Sequence, residues 1–118
     1  DTKVNFDTAN QMVIESSVYI LSDSGEISRF LRGKQEQFKL EGVGALKDVR
    51  AIFTGEGLES LYVLDSGNSR LLILDKDGKY KKEYKGEIFA QAKSLVVDEV
   101  AKKAYLLDGS KIYSVDLK

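Results

Sequence analysis

Three tyrosine-marked apolar runs recur at one fixed spacing, and that spacing constrains the fold more than any other feature of the chain. The runs are "VYIL" at 18–21, "LYVL" at 61–64 and "AYLL" at 104–107, and Tyr19, Tyr62 and Tyr105 each stand 43 residues from the next. A period of roughly 40–50 residues belongs either to propeller blades or to helical arrays. The local pattern separates the two. Around Tyr62 run "VRAIFT" (49–54), "SLYVLD" (60–65), "RLLILD" (70–75) and "KYKKEYK" (79–85). Each is short, rich in β-branched, aromatic or aliphatic residues, and bounded by Gly, Ser, Asn or Asp, as strands are. A helical array needs apolar spacing of three and four over about a dozen residues. The nearest approach is Ile88, Phe89, Ala92 and Leu95, which suits a short connection between units. The pattern predicts an all-β chain made of β-propeller blades, each of four antiparallel strands.

The same template fits the other units. The first reads "QMVI" (11–14), "SVYIL" (17–21), "EISRFL" (26–31) and "EQFKL" (36–40). The third supplies "KSLVVD" (93–98), "KAYLLD" (103–108) and "KIYSVDL" (111–117), with no fourth strand following. The expected blades span about 8–43, 44–86 and 87–118 of one partial domain, with residues 1–7 as a candidate closing strand. In that segment "KVNF" (3–6) puts Val4 and Phe6 on one face of an extended chain, fit to pair an open edge.

Three blades do not close a ring, since propellers typically have four to eight. Either the chain is part of a longer protein, or copies associate head to tail through heterologous interfaces. The end blades of an isolated stack would each expose an apolar sheet face larger than monomers usually show. The expectation is therefore a homo-oligomer, a dimer that closes a six-bladed ring, unless missing blades of a longer chain do so.

Composition narrows the chemistry. The 18 basic and 19 acidic residues leave a net charge of −1, with no general attraction to nucleic acid or anionic lipid. No run reaches the roughly 20 apolar residues of a membrane-spanning helix, so no membrane contact is expected from this segment. There is no Cys and no His, which removes thiolate chemistry and the usual general base and metal ligand. Proline is absent as well, so ten glycines carry the turns together with Asn and Asp. The chain begins "DTKVNFDTANQ" without an initiator Met, a basic start or an apolar signal core, and reads as a piece of a longer protein.

The second unit, "LYVLDSGNSRLLILDKDGKYKKEY", resembles an NHL-type propeller repeat: an apolar strand, D-x-x-N-x-R, a second apolar strand, then D-x-x-G. On that pattern fall Asp65, Asn68, Arg70, Asp75 and Gly78. The first unit departs from it, with Ser22 opposite Asp65 and a turn one residue shorter, while the third keeps Asp108 but trims its turn to "DGSK". The resemblance implies blades around a central channel and a role in binding proteins, glycans or RNA. It extends to bacterial envelope-associated propellers that follow an anchoring segment, which would place the domain outside the cytoplasm.

Asp65, Asn68 and Arg70 form the most tempting polar constellation. They could hold a ligand, but Asx side chains at such turns commonly bond their own backbone. Repetition of the Asp at 108 favours the structural role, with Arg70 pairing a carboxylate of its own or the next blade. "DKDGKYKKEYKGE" starts like a calcium loop, but its glycine comes too early, and Gly78 suits a hairpin turn with positive φ instead. Lys76, Lys79, Lys81, Lys82 and Lys85 with Tyr80 and Tyr84 resemble an RNA strip. Alternation would put Tyr80, Lys82 and Tyr84 on one face, and an outermost strand guarded by lysines explains the run better. Glu15, Asp65, Asp98, Glu99 and Asp108 are scattered over turns without a ligand spacing. No metal, cofactor or catalytic residue is expected. The predicted function is a non-enzymatic recognition or scaffold domain binding a protein or other ligand. The alternatives are a ligand-sensing extracytoplasmic fragment of a membrane protein, or a carboxylate-site hydrolase or lyase of propeller fold.

Overall fold

The computed structural model describes residues 9–14, 17–55 and 57–117; the expected closing strand at 3–6 lies outside them. Three antiparallel sheets follow one another along the chain. The first holds β1 (Ala9–Ile14), β2 (Val18–Ser22), β3 (Ile27–Leu31) and β4 (Lys34–Glu36). The second holds β5 (Val49–Phe53), β6 (Leu61–Asp65), β7 (Arg70–Leu74) and β8 (Tyr80–Lys85). A short helix α1 (Glu87–Gln91) leads to the third, with β9 (Ser94–Asp98), β10 (Lys103–Asp108) and β11 (Lys111–Asp116). Each strand pairs with the next in sequence, so every sheet is a simple meander.

The sheets stack face to face, and the middle one is covered on both sides. Every residue of β6 and β7 is buried. The period-two geometry of strands then divides them between two cores. Leu61, Val63, Leu72 and Leu74 pack toward the first sheet with Tyr19, Leu21 and Ile52. Tyr62, Leu64, Leu71 and Ile73 pack toward the third with Leu95, Val97, Ala104 and Leu106. Phe89 and Ala92, on and just beyond α1, close one end of that second core. β9, covered on one side only, alternates strictly between buried and exposed residues.

Three expectations need correction. The fourth strand of the first unit is Lys34–Glu36, not 36–40. Phe38 and Leu40 leave the sheet to pack between the first two blades, where the Phe38 ring meets Tyr19 edge-on at 5.7 Å. Residues after them bridge to the next blade, with Glu41 N–H donating to Gly78 O and Tyr80 N–H to Glu41 O.

The second correction concerns Tyr80, Lys82 and Tyr84, which do not share a face. A register shift in β8 opposes Leu74 to Tyr80 but Ile73 to Lys82, so Lys81 is an extra residue. Such a bulge reverses the alternation. Tyr80 therefore sits on the side of the first blade and Tyr84 on the side of the third. The two rings cannot serve one stacking strip.

The third is that the end faces are unequal. On the third sheet Val96 and Ile112 are 47% and 69% exposed, whereas on the first Ile20 and Phe30 are buried.

Candidate functional site

The turn between β6 and β7 is a tight 3-10 turn, Ser66–Asn68, closed by Ser69 in the left-handed region at φ 54°. It brings Asp65, Asn68 and Arg70 together. The Asp65 carboxylate is fully buried. Its Oδ1 accepts the Lys47 backbone N–H at 3.0 Å. Its Oδ2 accepts Asn68 Nδ2 at 2.8 Å and Arg70 Nε at 2.9 Å. Asn68 Nδ2 also donates to Ala45 O at 2.9 Å. Arg70 reaches Glu83 Oε1 with Nη1 at 3.0 Å and Val43 O with Nη2 at 2.7 Å. The partners thus lie in the same blade and in the linker 43–47 that enters it. Gly67 is pressed against that linker: a Cβ there would stand 2.4 Å from Lys47 Cβ.

Asp75 and Gly78 lie at the opposite end of the blade, in the turn between β7 and β8. Asp75 Oδ1 accepts the backbone N–H groups of Asp77 (2.9 Å) and Lys79 (3.0 Å). These amides, Lys79 foremost, hold its carboxyl below the usual carboxylate range. Gly78 has φ 94°, and a Cβ on it would come 2.8 Å from Lys39 O. Asp108 stands at the end of β10, half-buried, before Gly109 at φ 62°. With Asp75 and Gly78 at the other end of the second blade and Asp108 in the third, the sequence-selected residues do not converge on one centre. Asp98 Oδ1 accepts the Ala101 N–H within its own turn. Among the described residues no cluster of three His, Cys, Asp or Glu side chains could hold a metal ion.

What the sequence reading missed is the work of the recurring tyrosine. Tyr19 points from the first blade to the second, where its hydroxyl donates to Lys76 O at 2.9 Å. Arg29 Nη1 donates to the same carbonyl at 2.8 Å and to Asp77 Oδ1 at 3.0 Å. Its Nε lies 2.9 Å from Glu36 Oε1, and its guanidinium sits 5.1 Å from the Phe38 ring centroid. Tyr62, one period later, points from the second blade to the third and donates to Glu99 Oε2 at 2.7 Å. Burial and the Glu99 carboxylate both push the Tyr62 phenol up. Glu99 also accepts the Glu59 N–H, at 3.0 Å and 3.2 Å to its two oxygens. Each tyrosine latches its blade to a turn of the following one. Tyr105 occupies the same place in the third blade, opposite Val96 on the open face. The 43-residue spacing was the available signal; the acceptors, a carbonyl and a turn carboxylate, share no motif.

A groove of about 480 Å³ opens beside the second latch, between the outer parts of the second and third blades. Its floor is Tyr62, Ile73, Tyr84 and Leu117, and its rim carries Lys81, Lys82 and Lys102 with Glu59 and Glu99. Lys81 Nζ donates to Ser60 Oγ at 2.7 Å, and Lys82 Nζ lies 5.1 Å from the Tyr84 ring centroid.

No protein-family model matches the chain, and neither does any curated protein. Among solved structures, the WD40 domain of Pan2 from Neurospora crassa aligns over 93% of this chain with a TM-score of 0.57 and 8% identity. The fold is that of a β-propeller. The propeller segment seen here spans 38% of the length of that chain. At so low an identity the likeness concerns blade architecture alone. Within the propeller, β1, β5 and β9 are the first strands of their blades, and β4 and β8 the last.

Proposed function

We propose that this propeller segment is a non-enzymatic recognition and scaffold module of NHL type, completed into a six-bladed ring by a second copy. One observation carries the reading: the outer face of the third blade, with Val96, Ile112 and Tyr105, is built like the faces that the blade stack covers elsewhere. The Asp65, Asn68 and Arg70 group, with Asp75 and Gly78, serves in this reading as the fastening that sets each linker against its blade. Asp108 is a reduced version of it. Their donors and acceptors are engaged within the chain, which supports a structural role over ligand binding. A partner would be met at the ring faces or along the grooves between blades.

Native mass by light scattering tests the proposal, with the mass of two chains expected. A single-chain mass at tens of micromolar would overturn closure by a second copy. Metal analysis with a lactone-hydrolysis screen addresses the enzymatic alternative, and metal-dependent turnover would overturn the non-enzymatic assignment.

A further inference from the structure

The bulge in β8 brings two consecutive lysines to one groove. Register opposes Lys82 to Ile73 and Tyr84 to Leu71, and Ile73 and Leu71 face the third blade, so Lys82 and Tyr84 face it as well. In a regular strand Lys81 would turn to the opposite face. As the extra residue of the bulge it lines the same groove, with its Nζ on Ser60 Oγ. Bulges commonly re-aim side chains beside functional sites. A third lysine arrives from the other blade. Lys102, in the turn between β9 and β10, is exposed and has φ 57°, in the left-handed region where glycine costs less.

Beneath these ammonium groups the floor is Tyr62, Ile73, Tyr84 and Leu117. The acids of the groove are Glu59 and Glu99, so three lysines face two carboxylates and one positive charge is left over. Glu99 is held by the Tyr62 hydroxyl and the Glu59 N–H. An ammonium has three hydrogens, and Ser60 takes one from Lys81. The groove therefore joins an apolar floor to hydrogen-bond donors that carry one net positive charge. The corresponding groove between the first two blades is built differently. Among the residues that line it Phe38 alone is apolar, and its Arg29 is held by Glu36 and Asp77.

We infer that the groove between the second and third blades binds a small amphipathic monoanion, an alkyl carboxylate of about ten carbons. The chain would lie on the apolar floor, and the carboxylate would meet Lys81 and Lys102. The volume of about 480 Å³ falls within the roughly 300–1,000 Å³ of small-molecule sites. Lysines act as point charges, without the planar fork that pairs two oxygens at once, and one net charge matches one carboxylate better than a phosphate dianion. Lys82 Nζ already covers a face of the Tyr84 ring, which favours a flexible chain over a stacked aromatic body. This ligand class deepens the recognition reading on which it rests. Ring closure does not enter, because the groove lies within one chain.

The probe is sodium decanoate, titrated against the full chain and read by proton–nitrogen correlation spectra. Saturable shifts are expected at the amides of Lys81, Lys82, Lys102 and Leu117, with half-saturation at or below about 3 mM, as ligand efficiency gives for a ligand of this size. Lys81→Gln combined with Lys102→Gly should weaken binding at least about fivefold. Its far-ultraviolet circular dichroism should be unchanged, since glycine suits the turn and glutamine keeps a donor for Ser60. Decyltrimethylammonium, the same chain with the opposite charge, should bind at least about tenfold more weakly, and acetate, a head without a chain, should not saturate. Absence of decanoate saturation up to about 10 mM, equal binding of the cation, or undiminished binding by the folded double variant would each overturn the inference. Shifts centred on Val96 and Ile112 would place the ligand on the open face of the third blade and overturn it too. Light scattering on the same samples reads ring closure separately, so a two-chain mass without decanoate binding would keep the scaffold reading and lose this ligand.

Discussion

Asp65 is buried with two side-chain donors and one backbone donor converging on it. Replacing it with Ala leaves the buried Arg70 guanidinium short of its main counter-charge and orphans the Lys47 N–H. Breaking a buried ion pair by removing one partner costs about 3–5 kcal/mol. Urea unfolding of Asp65→Ala should show a loss of that order, and Asn68→Ala a loss of only about 1 kcal/mol, the size of a typical hydrogen bond. A loss well below about 1 kcal/mol for Asp65→Ala would mean that the ion pair does not fasten the linker to its blade. At Gly78 the left-handed φ and the nearby Lys39 carbonyl act together. Gly78→Ala should therefore cost more than the roughly 1 kcal/mol of the backbone term alone.

Asp75 adds a pH dependence. Its folded-state pKa lies below its ordinary value, so the folded chain binds fewer protons there than the unfolded one. Its contribution is present in full above pH about 4 and is lost as pH falls through the folded value. Because the side chain is half-buried in a turn at the surface, the contribution is small. Asp75→Asn should make the thermal midpoint less dependent on pH between about 5 and 2, measured by circular dichroism.

At the scale of elements, the sequence shows strands readily and faces less well. The near-continuous apolar runs at 61–64 and 71–74 announce burial on both sides, and β6 and β7 are buried throughout. Strand periodicity in β8 misleads, because one extra residue, Lys81, shifts register and no Gly or Pro marks it. The end of β4 misleads for a related reason. Phe38 and Leu40 look like strand residues, yet their apolar surface is needed between blades. Position 65 shows its turn chemistry in the D-x-x-N-x-R pattern. Glu99, by contrast, is one acid among many until the stack brings Tyr62 to it.

The two latches should differ in strength, since a hydrogen bond to a carboxylate is worth more than one to a carbonyl. Tyr62→Phe should cost about 1.5–3 kcal/mol and Tyr19→Phe about 0.5–1.5 kcal/mol by urea unfolding. Equal losses would mean that ring packing, not the hydroxyl, makes the contact.

For the whole molecule, the decisive asymmetry is between a middle blade covered on both faces and a third blade covered on one. Val96, Tyr105, Leu107 and Ile112 stand together on that open face, since β10 opposes Tyr105 to Val96 and Leu107 to Ile112. Covering them with a second copy would remove apolar surface from water at about 25 cal/mol per Å². It would also give the Tyr105 hydroxyl the partner that Tyr19 and Tyr62 already have. Charge on this face should then act on association and leave the fold intact. Val96→Glu with Ile112→Glu is expected to convert a two-chain mass into a single-chain mass by light scattering, with an unchanged circular dichroism spectrum. Both positions are exposed in the chain, so neither substitution buries a charge within it. Tyr105→Phe is the finer probe: it should weaken association severalfold while leaving the unfolding of the dissociated chain unaffected, unlike Tyr62→Phe. If the double glutamate chain kept its two-chain mass, the open face of the third blade would not be the seam of the ring.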